Sequence, residues 1–199
     1  THRVAYLLRV ERVNPDAILV LCFNRSAVMS LRRRLRELAG AEMRRVTTLT
    51  FHGLALRLTG RSLAVAAQNE GGKGENEIDF SMVIQAAIDL LKGETGALGF
   101  VSGSPRETLL GKFSHILVDE YQDIDEQQYE LVALLAGKTL EEHDQKMTIL
   151  AVGDDDQNIY RFRGANVGFI RKFHEDYDAE IHYLIENYRS TANIISASN

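Results

Sequence analysis

Apolar residues along the chain fall into two patterns. Short aliphatic or β-branched runs recur at 17–22 (AILVLC), 46–50 (VTTLT), 115–119 (HILVD), 148–152 (TILAV) and 181–185 (IHYLI). Each is bounded on at least one side by a polar residue or glycine, as strands buried in a parallel sheet are. Between them, apolar positions recur near the helical period. Over 26–38 these are Ala27, Val28, Leu31, Leu35 and Leu38, and the segments 125–136 and 166–173 behave alike. Strands alternating with helices predict a doubly wound α/β domain. In such sheets a ligand sits at the carboxyl ends of the strands.

The stretch from about 54 to 112 breaks the alternation. It holds two helical patterns, 53–63 and 78–91, separated by the polar QNEGGKGENE, and then a Gly- and Ser-rich loop at 93–105. It reads as a small helical insertion, 54–112, in a core formed by 1–53 and 113–199. The GGKG at 71–74 reads as a surface loop rather than a phosphate loop. It lacks a following Ser or Thr, a preceding strand and the spaced first glycine. The 199 residues suffice for one buried core with a small subdomain.

Composition narrows the class. An apolar fraction of 45% with 26% charged residues is ordinary for a globular protein. The longest apolar run, 17–23, is far too short to span a membrane, so no membrane partner is expected. The single cysteine, Cys22, excludes an internal disulfide, and the expected setting is cytoplasmic. A net charge of −5 speaks against a general polyanion binder. Its distribution is uneven: seven arginines and two acids lie between Arg25 and Arg45, and twelve acids and two lysines between Asp119 and Asp156. Either run alone reads most simply as a solvated face.

Chemistry concentrates where the aliphatic runs end. HILVD leads into DEYQD at 119–123, so Asp119 and Glu120 close a strand. Two adjacent carboxylates there suit nucleotide hydrolysis, the first for Mg²⁺, which prefers oxygen ligands, the second to orient and deprotonate water. The bland alternative is an acidic strand end on the surface. The run 148–152 leads into GDDDQ at 153–157, where the Gln157 amide can both donate to and accept from a γ-phosphate. Tyr160 and Phe162 then alternate with Arg161 and Arg163. Rings between arginines suit base stacking and phosphate pairing; the alternative is that one or both rings are core.

Together these segments resemble the UvrD/Rep/PcrA group of superfamily 1 DNA helicases. DEYQD resembles its Walker B motif, and GDDDQ with IYRFRGA at 159–165 its motif III. ENYRS at 186–190 resembles motif IV, TFHGL at 50–54 a DNA-contacting segment and FNRSA at 23–27 motif Ia. The matches are collinear. The resemblance implies a RecA-like P-loop NTPase fold that uses ATP and Mg²⁺ and moves 3′→5′ on single-stranded DNA. Asp119 would hold Mg²⁺, Glu120 would activate water and Gln157 would couple the γ-phosphate to the DNA site. Tyr188 would stack on adenine and Arg189 would act as an arginine finger. Tyr160 and Phe162 would stack on bases, with Asn24, Arg25, Thr50, His52 and Arg163 at the DNA. Implied partners are single-stranded DNA, single/double-strand junctions and a second motor domain of the same parent chain.

Two departures qualify this expectation. No G-x-G-K-T is present; the family pattern would place it a few residues before Thr1, so the chain alone is expected to hydrolyse ATP poorly. In motif Ia, Cys22 stands where the family has a DNA-stacking aromatic, with Phe23 beside it as a substitute. The insertion is shorter than is usual in the family. Competing readings are a non-catalytic DNA-binding or scaffold module, the ATPase arm of a helicase–nuclease, and an RNA-directed motor.

Overall fold

The computed structural model describes residues 1–59, 80–93, 112–138, 146–160, 162 and 164–198. The loops at 71–74 and 93–105 thus fall wholly or almost wholly outside the described residues. The elements are α1 (His2–Arg9), β1 (Ile18–Cys22), α2 (Arg25–Ala39), β2 (Thr47–Thr50), α3 (Phe51–Leu58), α4 (Phe80–Lys92), β3 (His115–Asp119), α5 (Glu126–Ala136), β4 (Thr148–Val152), α6 (Gly168–Tyr177) and α7 (Ala192–Ser198). The four strands form one parallel sheet in the order β2-β1-β3-β4.

The aliphatic runs form strands because both faces are covered. Alternate residues point to opposite sides, and here both sides are apolar. Leu19, Leu21, Ile116 and Val118 face one cluster, built with Phe51, Leu54, Ile84, Ile88, Leu131 and Leu135 of α3, α4 and α5. Ile18, Val20 and Leu117 face the other, built with Val4, Leu7, Leu8, Leu35 and Met43. Burying each such side chain is worth about 1.5–3 kcal/mol. Helix α4 therefore packs into the same core as the sheet.

Three helices start on the carboxyl side of their strands with side-chain caps. Asn24 Oδ1 accepts from the Ala27 N–H at 2.8 Å, Thr50 Oγ1 from the Gly53 N–H at 3.1 Å, and Asp125 Oδ1 from the Gln128 N–H at 2.8 Å. The Thr50 cap starts α3 at Phe51, ahead of the expected 53. Asn166 turns the chain by accepting from the Gly168 N–H at 2.8 Å, so α6 begins two residues later than its pattern suggests.

One expected strand does not form. Residues 181–185 carry neither strand nor helix, and Tyr183, Leu184 and Ile185 are 81%, 92% and 87% exposed. A strand of that kind needs a paired neighbour and two covering layers. Among the described residues nothing pairs with the outer edge of β4, whose Thr148 and Val152 are themselves exposed. Helix α7 follows, unmarked by the sequence pattern. No described helix is long and apolar enough to cross a membrane.

Candidate functional site

β3 delivers Asp119 to the carboxyl edge of the sheet, and the chain kinks at once. Glu120 adopts a left-handed backbone, φ 54° and ψ 50°, at a cost of roughly 1–2 kcal/mol for a non-glycine residue. The kink leaves Glu120 exposed and turns Tyr121, Gln122 and Asp123 inward. Asp119 is half-buried, and its carboxyl is held above the usual carboxylate range by burial and then by repulsion from Glu120. Asp123 is pushed up by the same two causes, and its Oδ1 is buried without a hydrogen-bond partner. Because the folded state holds these two protons more tightly than the unfolded chain, their ionisation removes stability as pH rises through the carboxylate range. Asp119 and its neighbour Glu120 offer carboxylate oxygens only, the donor type that fits a hard cation such as Mg²⁺.

Gln122 is the joint of the site. It is 1% exposed. Its Nε2 donates to Glu120 Oε2 at 2.8 Å, its Oε1 accepts from the Asp154 N–H at 3.1 Å, and its carbonyl accepts from Asn158 Nδ2 at 2.5 Å. The ends of β3 and β4 are thereby clamped together. Gly153 makes the approach possible, since a Cβ there would stand 2.4 Å from Gln122 Oε1 and 2.7 Å from Ile170 Cδ1. Gln157 joins through Asp154, donating from Nε2 to Oδ2 at 2.6 Å. Glu120 and Gln157 thus belong to one polar chain. Sequence reasoning does not single out Gln122; the available signal is its place inside DEYQD. Asp154, Asp155 and Asp156 bring their carboxylates within 4.8 Å of one another. Asp154 is spent on this turn and Asp155 on Arg171, at 2.9 Å.

An aromatic row borders the same edge. The Phe23 ring lies 5.0 Å from Tyr160, and Tyr160 lies 6.3 Å from Phe162. Phe162 is 78% exposed and Tyr160 half-buried, so neither belongs to the core. Cys22 is fully buried, its thiol pushed up to about 12 by burial and by the charge of Asp119. Phe23, beside it, is half-buried against Tyr160.

Asn24 and Thr50 follow or end adjacent strands, Cys22 pairing with Thr50, and both spend a side-chain oxygen on capping a helix. Arg25 is exposed beside Asn24. His52 is half-buried, and burial lowers its pKa against the raising field of Asp125. Tyr188 is 93% exposed. Asn187 Oδ1 accepts from the N–H groups of Arg189 and Ser190, each at 2.9 Å. Among the described residues no hydrogen bond or ion pair links Tyr188 or Arg189 to the end of β3. Arg163 lies outside the described residues. The structure therefore brings Glu120 and Gln157 into one hydrogen-bonded chain beside Asp119, with the aromatic row on the same edge.

Comparison with known proteins agrees with this geometry. Residues 1–70 and 65–178 match the model of the UvrD/REP helicase N-terminal domain. The chain is 30% identical over 262 aligned positions to DNA helicase II of Escherichia coli and 28% over 271 to the ATP-dependent DNA helicase PcrA of Staphylococcus epidermidis. Each alignment covers 100% of this chain and 35% of the relative, so the chain spans about a third of their length. An 88-residue part, 44% of the chain, is 49% identical to 11% of DNA helicase II of Haemophilus influenzae. The alignments exceed the chain's 199 residues, so the relatives carry segments that this chain lacks.

Proposed function

Because the chain belongs to the UvrD/REP helicase N-terminal domain family, we propose that it forms most of the first motor domain of an ATP-driven enzyme that translocates 3′→5′ on single-stranded DNA and unwinds duplex ahead of it. The observation that supports this best is the polar chain Glu120–Gln122–Asp154–Gln157 across two strand ends. A hydrolytic carboxylate and a phosphate-sensing amide are held in fixed relation, with a row of rings beside them.

The roles follow from placement. Glu120, exposed and oriented by Gln122, takes the proton of the attacking water. Gln157, hung on Asp154, reads the γ-phosphate, and its loop runs on into Tyr160 and Phe162. A change at the phosphate thus reaches the rings within a few residues. Phe23, Tyr160 and Phe162 supply faces for bases, each stack worth roughly 1–3 kcal/mol whatever the base. Asp119 would hold Mg²⁺, which supplies charge neutralisation on the transferring phosphates. Arg189 and Tyr188 reach the nucleotide when a second motor domain closes on this one. Residues 54–112 form a reduced insertion on the 1–53 and 113–199 core. Single/double-strand junctions are the working substrate.

The test uses the full-length protein. Poly(dT) is expected to stimulate ATP hydrolysis more than an RNA homopolymer does, and a duplex with a 3′ tail to be unwound in preference to one with a 5′ tail. ATP turnover indifferent to DNA would overturn the proposal in favour of a scaffold.

Asn24 separates folding from DNA contact. Asn24→Ala is expected to cost about 1 kcal/mol by loss of the cap. Asn24→Asp keeps a capping oxygen and adds a negative charge at the DNA edge. Its melting temperature should match wild type while its affinity for single-stranded DNA falls several-fold in fluorescence anisotropy. Unchanged affinity would remove Asn24 from the interface.

A further inference from the structure

A second charged feature lies on the outer edge of β2, away from the strand ends. A hollow of about 330 Å³ is lined by Arg32, Arg44, Arg45, Arg57, Lys112 and Asp16 among others. Five cations face one acid, in a chain whose net charge is −5. Two of the cations are anchored. Arg45 Nε donates to Asp16 Oδ2 at 3.0 Å, and Arg32 Nη2 donates to the Thr48 carbonyl at 2.6 Å. Lys112 lies close enough to help hold the Asp16 carboxyl below its usual range, after Arg45. Gathering like charges around one hollow costs free energy that an arginine run spread over a solvated helix face would not. These cations come from separate segments: α2, the turn Gly40–Arg45, α3 and the residue before Phe113.

We infer that this hollow is a second nucleic-acid site, one that grips the phosphodiester backbone where a strand continues beyond the strand ends. Arginine forks pair with phosphate oxygens in two parallel hydrogen bonds, and the hollow has room for more than one phosphate. A protein partner is the poorer fit. Stable protein contacts are anchored by buried aromatic or aliphatic groups, and the exposed walls here are mainly guanidinium and ammonium. A polyanion needs only the charge. The hollow also shares α3 with the proposed DNA residues Thr50 and His52: Arg57 lies on the helix that Thr50 caps. A strand passing Thr50 and His52 can continue along α3 to Arg57. The inference therefore rests on the reading that the Thr50 end of β2 faces DNA.

The test is a triple variant of the full-length protein, Arg44→Gln, Arg57→Gln and Lys112→Gln. All three side chains are exposed and outside the proposed catalytic machinery; circular dichroism verifies the fold. Binding of fluorescein-labelled oligo(dT) is measured by anisotropy against salt. For a long oligonucleotide the variant is expected to bind roughly tenfold more weakly at low salt, with a log–log salt slope shallower by about 2 for three lost contacts. An oligonucleotide of about 8 nucleotides, near the size of one single-strand site, should bind both proteins alike. Identical slopes and affinities with the long strand would overturn the inference, as would a variant that loses only poly-glutamate binding. Failure of the motor reading shows separately, as wild-type ATPase that DNA does not stimulate, and leaves the salt slopes readable.

Discussion

Glu120→Gln in the full-length protein is expected to lower DNA-stimulated ATP turnover by roughly 10²–10⁴-fold, the usual weight of a positioned general base. Single-stranded DNA affinity should stay within a few-fold of wild type. The substitution is close to a pure test of charge. Glutamine has the same reach, and its Oε1 can still accept from Gln122 Nε2, which holds Glu120 Oε2 at 2.8 Å. The side chain is exposed, so its replacement leaves the core untouched. What goes is the ability to take a proton. Steady-state turnover at saturating poly(dT), with anisotropy for DNA, separates the effects. Wild-type turnover would show that another group activates water.

The second large effect is expected from Gly153→Ala, at about 1–3 kcal/mol of stability. A methyl group there would meet Gln122 Oε1 at 2.4 Å, Ile170 Cδ1 at 2.7 Å and the Tyr121 backbone nitrogen at 3.2 Å. Ile170 can change rotamer; the backbone of Tyr121 cannot yield without moving the end of β3. Gln122 must then withdraw and leave its bonds to Glu120 and Asp154. A buried amide left unpaired costs about 1–3 kcal/mol in its own right. Urea denaturation reads the stability. The same variant should lose stimulation by DNA more than basal turnover, because Gln122 joins the two loops. A variant within about 0.5 kcal/mol of wild type, with stimulation intact, would mean that the clamp is not rigid.

Much of this is legible in the chain because the central strands β1 and β3 are buried on both faces. ILVLC and the ILV inside HILVD have no polar position to place in water, and the acids Asp119 and Glu120 that follow mark the edge where the polar chain assembles. IHYLI at 181–185 has the same look but lies exposed. An apolar run becomes a strand only beside a partner, and that partnership is tertiary. Tyr160 and Phe162 are ambiguous between core and stacking for a related reason: a ring on a loop carries no periodicity. Gln122 is invisible as a joint because its worth lies in three bonds to residues as far as 36 positions away. Asn24 and Thr50 read as DNA contacts, and their capping duty emerges only where the helices start. Tyr188 and Arg189 are marked by motif alone, and among the described residues no hydrogen bond or ion pair ties them to the carboxylates.

The kinked backbone at Glu120 bears on how such a chain can drift. At φ 54° glycine would fold more comfortably than any other residue. Holding glutamate at the kink runs against thermodynamic ease. A descendant freed from hydrolysing nucleotide would find relief there in a single substitution, gaining robustness as it surrendered its engine.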